Sequence, residues 1–382
     1  MKKNLKTILA LVSFLFFIAG TVFAGQYPVT ETLKPYIDNG DLPGIVTVIA
    51  DRNGIIQQDC LGYANVEKKI PMTGDSLFWI ASQTKPFAAV SVMMLVDEGK
   101  LDLDTSVTEY LPELNELRVA VKQDDGNTLL VPLDKPITLR NLLSHSSGMV
   151  WITPLQQRHK IDVLPLSSVI TVCVMTPLQS QPGTEHSYSN MGVNVAATIV
   201  EKVSGQKYED FLNERIFLPL GMKDTTFWPT AEQLDRLAEV YMKSEDGKSF
   251  KRTENGQLTY PLDNRETRYP EAGGGLFSTP NDLVKFYQMF LCEGEFNGKR
   301  ILKPESVKEI WKKQPGQFPH AYGLCVATGG GVFGHAGSCG TESKVDTNLD
   351  LVYMYFVQHS GITKSNEVKE AFYKTVWETA KK

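Results

Sequence analysis

The sequence predicts an α/β (α+β) protein. A mainly antiparallel sheet is built from strands near both ends of the chain and flanked by helices, with a helical domain inserted between them. Three observations predict it. Runs rich in β-branched and aromatic residues, bounded by turn residues, lie before residue 80 and again in the last third. Apolar residues at helical spacing dominate the middle. The strands are joined by short turns, which impose antiparallel pairing. The expected division is a sheet lobe of about 25–80 and 240–382 and a helical lobe of about 81–239.

In chain order, "PGIVTVIADRNGIIQQDCLGYAN" (43–65) reads as a hairpin, its two β-rich runs flanking the polar turn Asp51-Arg52-Asn53-Gly54. "AAVSVMMLVDEGKL" follows, apolar at helical spacing and ending at Gly99. Pro86 suits the start of that helix, where a missing N–H costs least. A separate hairpin is expected at 117–137 with "QDDGN" as its turn. Helical patterns run from about 138 to 235, broken by loops such as "QPGTEHSYSN". "HAYGLCVA", "GVFGHAGSCGTESKVD" and "LDLVYMYFVQ" each read as strands, and an amphipathic helix over 366–380 closes the chain.

Residues 1–24 do not belong to that fold. Lys2, Lys3 and Lys6 precede an apolar run from Ile8 to Ala19 and then small residues at Val22-Phe23-Ala24. The order basic, apolar, small predicts a secretory signal cleaved after Ala24, because the run is short of the roughly 20 residues that span a bilayer. Cleavage removes three lysines and no acids, so formal charge moves from −5 to −8. A mildly acidic, exported chain without a Lys/Arg cluster is a poor partner for nucleic acid, and no stable membrane insertion is expected after cleavage. The expected location is the periplasm or the medium. Cys60, Cys173, Cys292, Cys325 and Cys339 form no Cys-x-x-Cys, and an odd count leaves one thiol free unless it pairs between chains. A disulfide between Cys325 and Cys339, each on an expected late strand, is a candidate. No histidine spacing suits a metal, and no cofactor is expected.

Three short stretches carry chemistry. In "ASQTKPF" (81–87), Ser82 and Lys85 sit three apart at a helix start, where positions i and i+3 share a face. Serine needs a base to become a nucleophile, and a desolvated lysine can serve. The helix start adds unpaired N–H groups that favour an oxyanion. In "PGTEHSYSNMG" (182–192), Tyr188 can relay a proton and Asn190 can hold a lysine or a substrate amide. In "FGHAGSCGT" (333–341), Gly337 after His335 lets a backbone approach closely, and the following N–H can face a carbonyl. Each stretch also has a bland reading: chance spacing, a helix cap, a glycine-rich strand. Gly329 to Gly334 fits a dinucleotide pattern by letter but opens no helix. His145 in "LLSHSSGM" is read as structural, and His186 as a candidate neighbour of the cleft.

Together, Ser-x-x-Lys, Tyr-x-Asn and His-x-Gly in this order resemble the serine β-lactamase and penicillin-recognising enzyme family, nearest its class C branch with related esterases and DD-peptidases. "ITLRNLLSHSSGM" (137–149) and "GGGLFSTPNDLVKFYQMFLCEGEFNGKRIL" (273–302) are similar to the same family, and the resemblance covers roughly 31–375. It implies Ser82 as the acylated nucleophile, Lys85 as its base and Tyr188 as proton shuttle. It also implies that Asn190 binds Lys85 and substrate, and that the Ser82 and Ser338 N–H groups form an oxyanion hole. His335, with Gly337 beside it, would then contact substrate. True β-lactamases usually carry lysine at that place, and a histidine is only partly charged near neutrality. That difference lowers the β-lactamase reading without choosing a successor, and the leading expectation is an esterase or amide hydrolase acting on a small-molecule, peptide or carbohydrate-linked acyl substrate. DD-peptidase, D-amino-acid peptidase and β-lactamase remain as alternatives, with a non-catalytic binding protein more remote.

Overall fold

A computed structural model describes residues 27–155, 165–316 and 321–382. The expected signal segment lies outside the described residues. The main sheet has seven strands: β1 (Gly44–Ala50), β2 (Ile55–Asn65), β3 (Ile70–Pro71), β4 (Ala327–Gly329), β5 (Val332–Ala336), β6 (Glu342–Asp346) and β7 (Leu351–Phe356). Their order is β4-β5-β6-β7-β1-β2-β3, every neighbour antiparallel. The junction between β1 and β7, with Val46 opposite Phe356 and Ala50 opposite Val352, joins the two ends of the chain.

Both central strands are buried along their whole length, so they read as continuous apolar runs. Alternation still sorts their side chains, because successive Cβ atoms point to opposite faces. Ile45, Ile49, Tyr353 and Tyr355 meet Leu33 of helix α1 (Val29–Asp38) and Phe372 and Tyr373 of the last helix. Val46, Val48, Met354 and Phe356 face the larger core, which includes α2 (Lys85–Asp97), α3 (Leu139–Leu143), α4 (Asn190–Ser204) and α5 (Pro280–Leu291). The last helix, α6, spans Lys364–Ala380.

α2 explains itself from sequence only in part. Its apolar spacing predicts one buried face, yet every residue from Lys85 to Leu95 is buried. A helix apolar all round belongs in the middle of a core. α4 packs against it, capped by Ser189, whose Oγ accepts the Gly192 N–H at 2.8 Å. α3 is held by a capping box between Thr138 and Asn141.

Two hairpins form where their turns predict them. Asp51 Oδ1 accepts the N–H groups of Asn53 and Gly54, closing the β1–β2 turn. Val119–Lys122 pairs with Thr128–Val131. "HAYGLCVA" departs from its expected strand. Cys325 adopts φ +56° and donates its N–H to the Leu143 carbonyl, while Leu324 donates to Ile310. Those residues form a tight turn under α3, and only Ala327–Gly329 joins the sheet.

The candidate disulfide fails for the same reason. Cys325 is buried against α3, whereas Cys339 packs with Trp79, Val240 and Phe277 in the turn after β5. All five thiols are free.

Candidate active site

Ser82 lies on a 3₁₀ turn, Ala81–Thr84, between the short strand Phe78–Trp79 and α2. Ala81 has φ +47°, a left-handed conformation that costs a residue with a Cβ on the order of 1–2 kcal/mol. Such strain survives only where neighbours fix it. Here Ile80 N–H donates to Leu276 O at 3.1 Å, and Leu276 N–H donates to Thr84 Oγ1 at 3.1 Å. The segment 271–276 is thereby stitched to the turn that carries Ser82.

Lys85 opens α2 with its side chain fully buried. Its Nζ sits 3.1 Å from Ser82 Oγ and 4.6 Å from the centre of the Tyr188 ring, and it donates to the Gly273 carbonyl. Burial lowers its pKa to about 8, and the Glu271 carboxylate pulls the other way. Near pH 8, then, a large fraction of Lys85 is an uncharged amine touching a serine hydroxyl. That is the arrangement a general base needs.

Tyr188 stands on the loop before α4. Ser189, next to it, donates its Oγ to Val150 O at 2.7 Å and its N–H to His145 Nδ1 at 3.2 Å. His145 has φ +59°, is fully buried and is held neutral by that burial. It positions the Tyr188 loop, the structural part expected of it. The His186 ring packs against His145 and Tyr322 and does not line the cleft. Burial raises the Tyr188 pKa well above 10, with Ser82 pulling weakly the other way, so it is a neutral phenol.

His335 departs from expectation. It lies on β5 behind Tyr188, with Nδ1 2.7 Å from the Ala336 carbonyl. A carbonyl only accepts, so Nδ1 carries the proton and Nε2 is the acceptor. Tyr322 Oη at 3.2 Å and Tyr188 Oη at 3.5 Å face that Nε2. Burial, with Lys85 adding to it, lowers the His335 pKa to about 3. His335 neither lines the cleft nor carries the charge near neutrality that a substrate carboxylate would call for.

Asn190 also departs from expectation. Its Nδ2 donates to Glu271 Oε1 at 3.1 Å, and its Oδ1 is buried without a hydrogen-bond partner among the described residues. The Gly273 carbonyl takes the place expected of Asn190 on Lys85. Gly273 must be glycine there, since a Cβ would lie 2.8 Å from Asn190 Cγ. Gly337 is equally constrained, because a Cβ would lie 2.4 Å from the Ile80 carbonyl. That close approach brings Ser338 beside the Ser82 turn. Among the described residues, neither the Ser82 nor the Ser338 N–H donates to a backbone carbonyl.

Ser82, Tyr188, Asn190, Gly337 and Ser338 thus line one cleft of about 690 Å³, with Lys85 buried beneath. Trp79, Trp151 and Tyr260 give it aromatic walls, and Glu271 and Gln257 complete it. These last five, and Tyr322 behind His335, were not legible as site residues. Glu271 stands two residues before a triple glycine, the one local sign that backbone passes close to something there.

The family profile described as Beta-lactamase matches residues 29–374. The chain belongs to that family. Protein Rv1367c of Mycobacterium tuberculosis is 30% identical over 86% of this chain and 88% of its own length. Lovastatin esterase of Penicillium rubens is 28% identical over 75% of this chain and 72% of its own. The solved structure of EstCE1, a hydrolase with promiscuous acyltransferase activity, superposes with a TM-score of 0.75 at 22% identity, covering 91% of this chain and 97% of that one. It shares the fold. This member of the beta-lactamase family is thereby placed among serine hydrolases whose relatives include esterases.

Proposed function

We propose that the protein hydrolyses esters through an acyl-enzyme on Ser82. The observation that carries the reading is Lys85: a fully buried amine with its pKa lowered to about 8, 3.1 Å from a half-buried serine hydroxyl at the floor of a cleft. Uncharged Lys85 takes the Ser82 proton as Oγ bonds to the ester carbonyl carbon. The oxyanion forms beside the N–H groups of Ser82 and Ser338. Tyr188, a neutral phenol, gives its proton to the leaving alkoxide and recovers one from Lys85. The alcohol departs, leaving Ser82 acylated. Water then adds, losing its proton to the same relay, and the acid leaves as Ser82 is re-protonated. The esterase reading is supported by the neutral His335 and by the likeness to lovastatin esterase. The basic-apolar-small order of residues 1–24 supports export of the protein without stable membrane insertion, and its acidic balance speaks against a nucleic-acid partner.

Treatment with a fluorophosphonate, followed by peptide mass spectrometry, tests this directly. The adduct is expected on the peptide containing Ser82, and Ser82→Ala should abolish both labelling and turnover of p-nitrophenyl esters. Labelling elsewhere, or undiminished turnover in Ser82→Ala, overturns the assignment. No labelling of the intact protein would favour a binding protein on the same fold.

A further inference from the structure

Among the described residues, no cationic side chain lines the cleft. Several of its side-chain donors are already committed. Asn190 Nδ2 and Gln257 Nε2 both donate to Glu271, at 3.1 and 2.8 Å. Trp79 Nε1 donates to the Gly274 carbonyl at 2.7 Å, and Thr259 Oγ1 to Gly256 O at 2.8 Å. Lys85 is fully buried and engaged by Ser82 and Gly273. Arg268 is 1% exposed, bonded to Gln257 Oε1 and to the carbonyls of Phe227 and Leu262, and does not line the cleft. The histidine that could have supplied a cation is neutral and hidden. Among the described residues, one formally charged side chain lines the cleft, and it is an acid: Glu271.

We propose that Glu271 is a charge-selecting residue that makes this cleft take uncharged or cationic esters and reject substrates bearing a carboxylate. The inference rests on the esterase reading above and narrows it. A substrate carboxylate entering here would lose its water, find no cationic side chain on the cleft wall to replace it, and approach the Glu271 carboxylate. An ammonium or a neutral chain loses nothing comparable, and the aromatic walls of Trp79, Trp151 and Tyr260 suit both. The same logic works against β-lactams and D-Ala-terminated peptides, whose carboxylates call for a cationic partner. Glu271 is held in place by two amide donors, so it presents its charge in one position and does not swing away to solvent.

Three p-nitrophenyl esters with six-carbon acyl chains test this: the monoester of adipate (anionic), its methyl ester (neutral) and the 6-aminohexanoate (cationic). At pH 8 and low salt, kcat/KM for the anion is expected to fall about tenfold or more below that of the neutral ester, with the cation equal to or above the neutral. Glu271→Gln should shrink the anion-to-neutral gap to about threefold or less, and Glu271→Asp should keep it. Raising salt to roughly 0.5 M should narrow the wild-type gap. The ratio is the readout, because a structural disturbance of Asn190 or Gln257 slows all three esters together. Anion and neutral within twofold of each other in the wild type, or a gap unchanged by Glu271→Gln, overturns the proposal. If none of the esters turns over, the hydrolase reading is what fails. Calorimetry of Ser82→Ala with the same compounds still decides charge selection: equal affinity for anion and neutral overturns it, weaker binding of the anion supports it.

Discussion

Lys85 and His335 are both buried bases beside Tyr188, and burial has opposite consequences for them. Desolvation disfavours the charged form of each. A lysine in water titrates near 10.5, so the shift brings Lys85 down to about 8, into the range that suits a general base. A histidine in water titrates near 6.5, so the shift takes His335 down to about 3, where it no longer titrates under ordinary conditions. One physical effect gives an amine suited to act as a base at the start of α2 and a neutral hydrogen-bond acceptor at the end of β5. Which residue type sits in which buried place decides the chemistry.

The sharpest way to break that contrast is to remove the base and its relay. Lys85→Ala and Tyr188→Phe should each lower kcat by about 10²-fold or more, the range of general acid–base contributions. The double variant should be little worse than the poorer single one, because the two hand on the same proton. Losses that multiply in steady-state kinetics would show two independent residues.

The pH profile sharpens it next. The active form of Lys85 is unprotonated, so kcat/KM for a neutral ester should rise with pH through about 8 and fall roughly tenfold per unit well below it. His335 should add no inflection between about pH 5 and 9. A second limb near 6.5 that disappears in His335→Gln would return His335 to the list of titrating groups.

The smallest effect is on stability. His335 and His359 have folded pKa values of about 3 and about 4, and His145 lies well below 6.5. The unfolded chain binds their protons near pH 6.5, so the folded state holds its full stability above that and loses it as pH falls toward about 4. Each histidine contributes up to about 1.4 kcal/mol per pH unit in that window. Denaturant midpoints at about pH 7.5, 6 and 5 measure it, and His335→Gln should flatten the slope. An unchanged slope would mean that His335 charges as readily folded as unfolded.

Local patterns carried much of this protein. Residues such as Asp51 and Gly54 make their own turn, and Ser82 and Lys85 share a helix face by covalent geometry, so short-range physics suffices for them. The antiparallel sheet from both ends of the chain followed from turn lengths and β-rich runs, and the family from three motifs in order. Tertiary structure decided what depends on neighbours far away in sequence. The all-round burial of α2 comes from the helices and sheet that surround it, and the turn at Cys325 from its bond to Leu143. Asn190 points to Glu271 rather than to Lys85, and Gly273 holds the lysine from 188 positions away. The protonation of His335 could not be read from its letter, since a pKa records burial and surrounding charge, and only the folded chain supplies those.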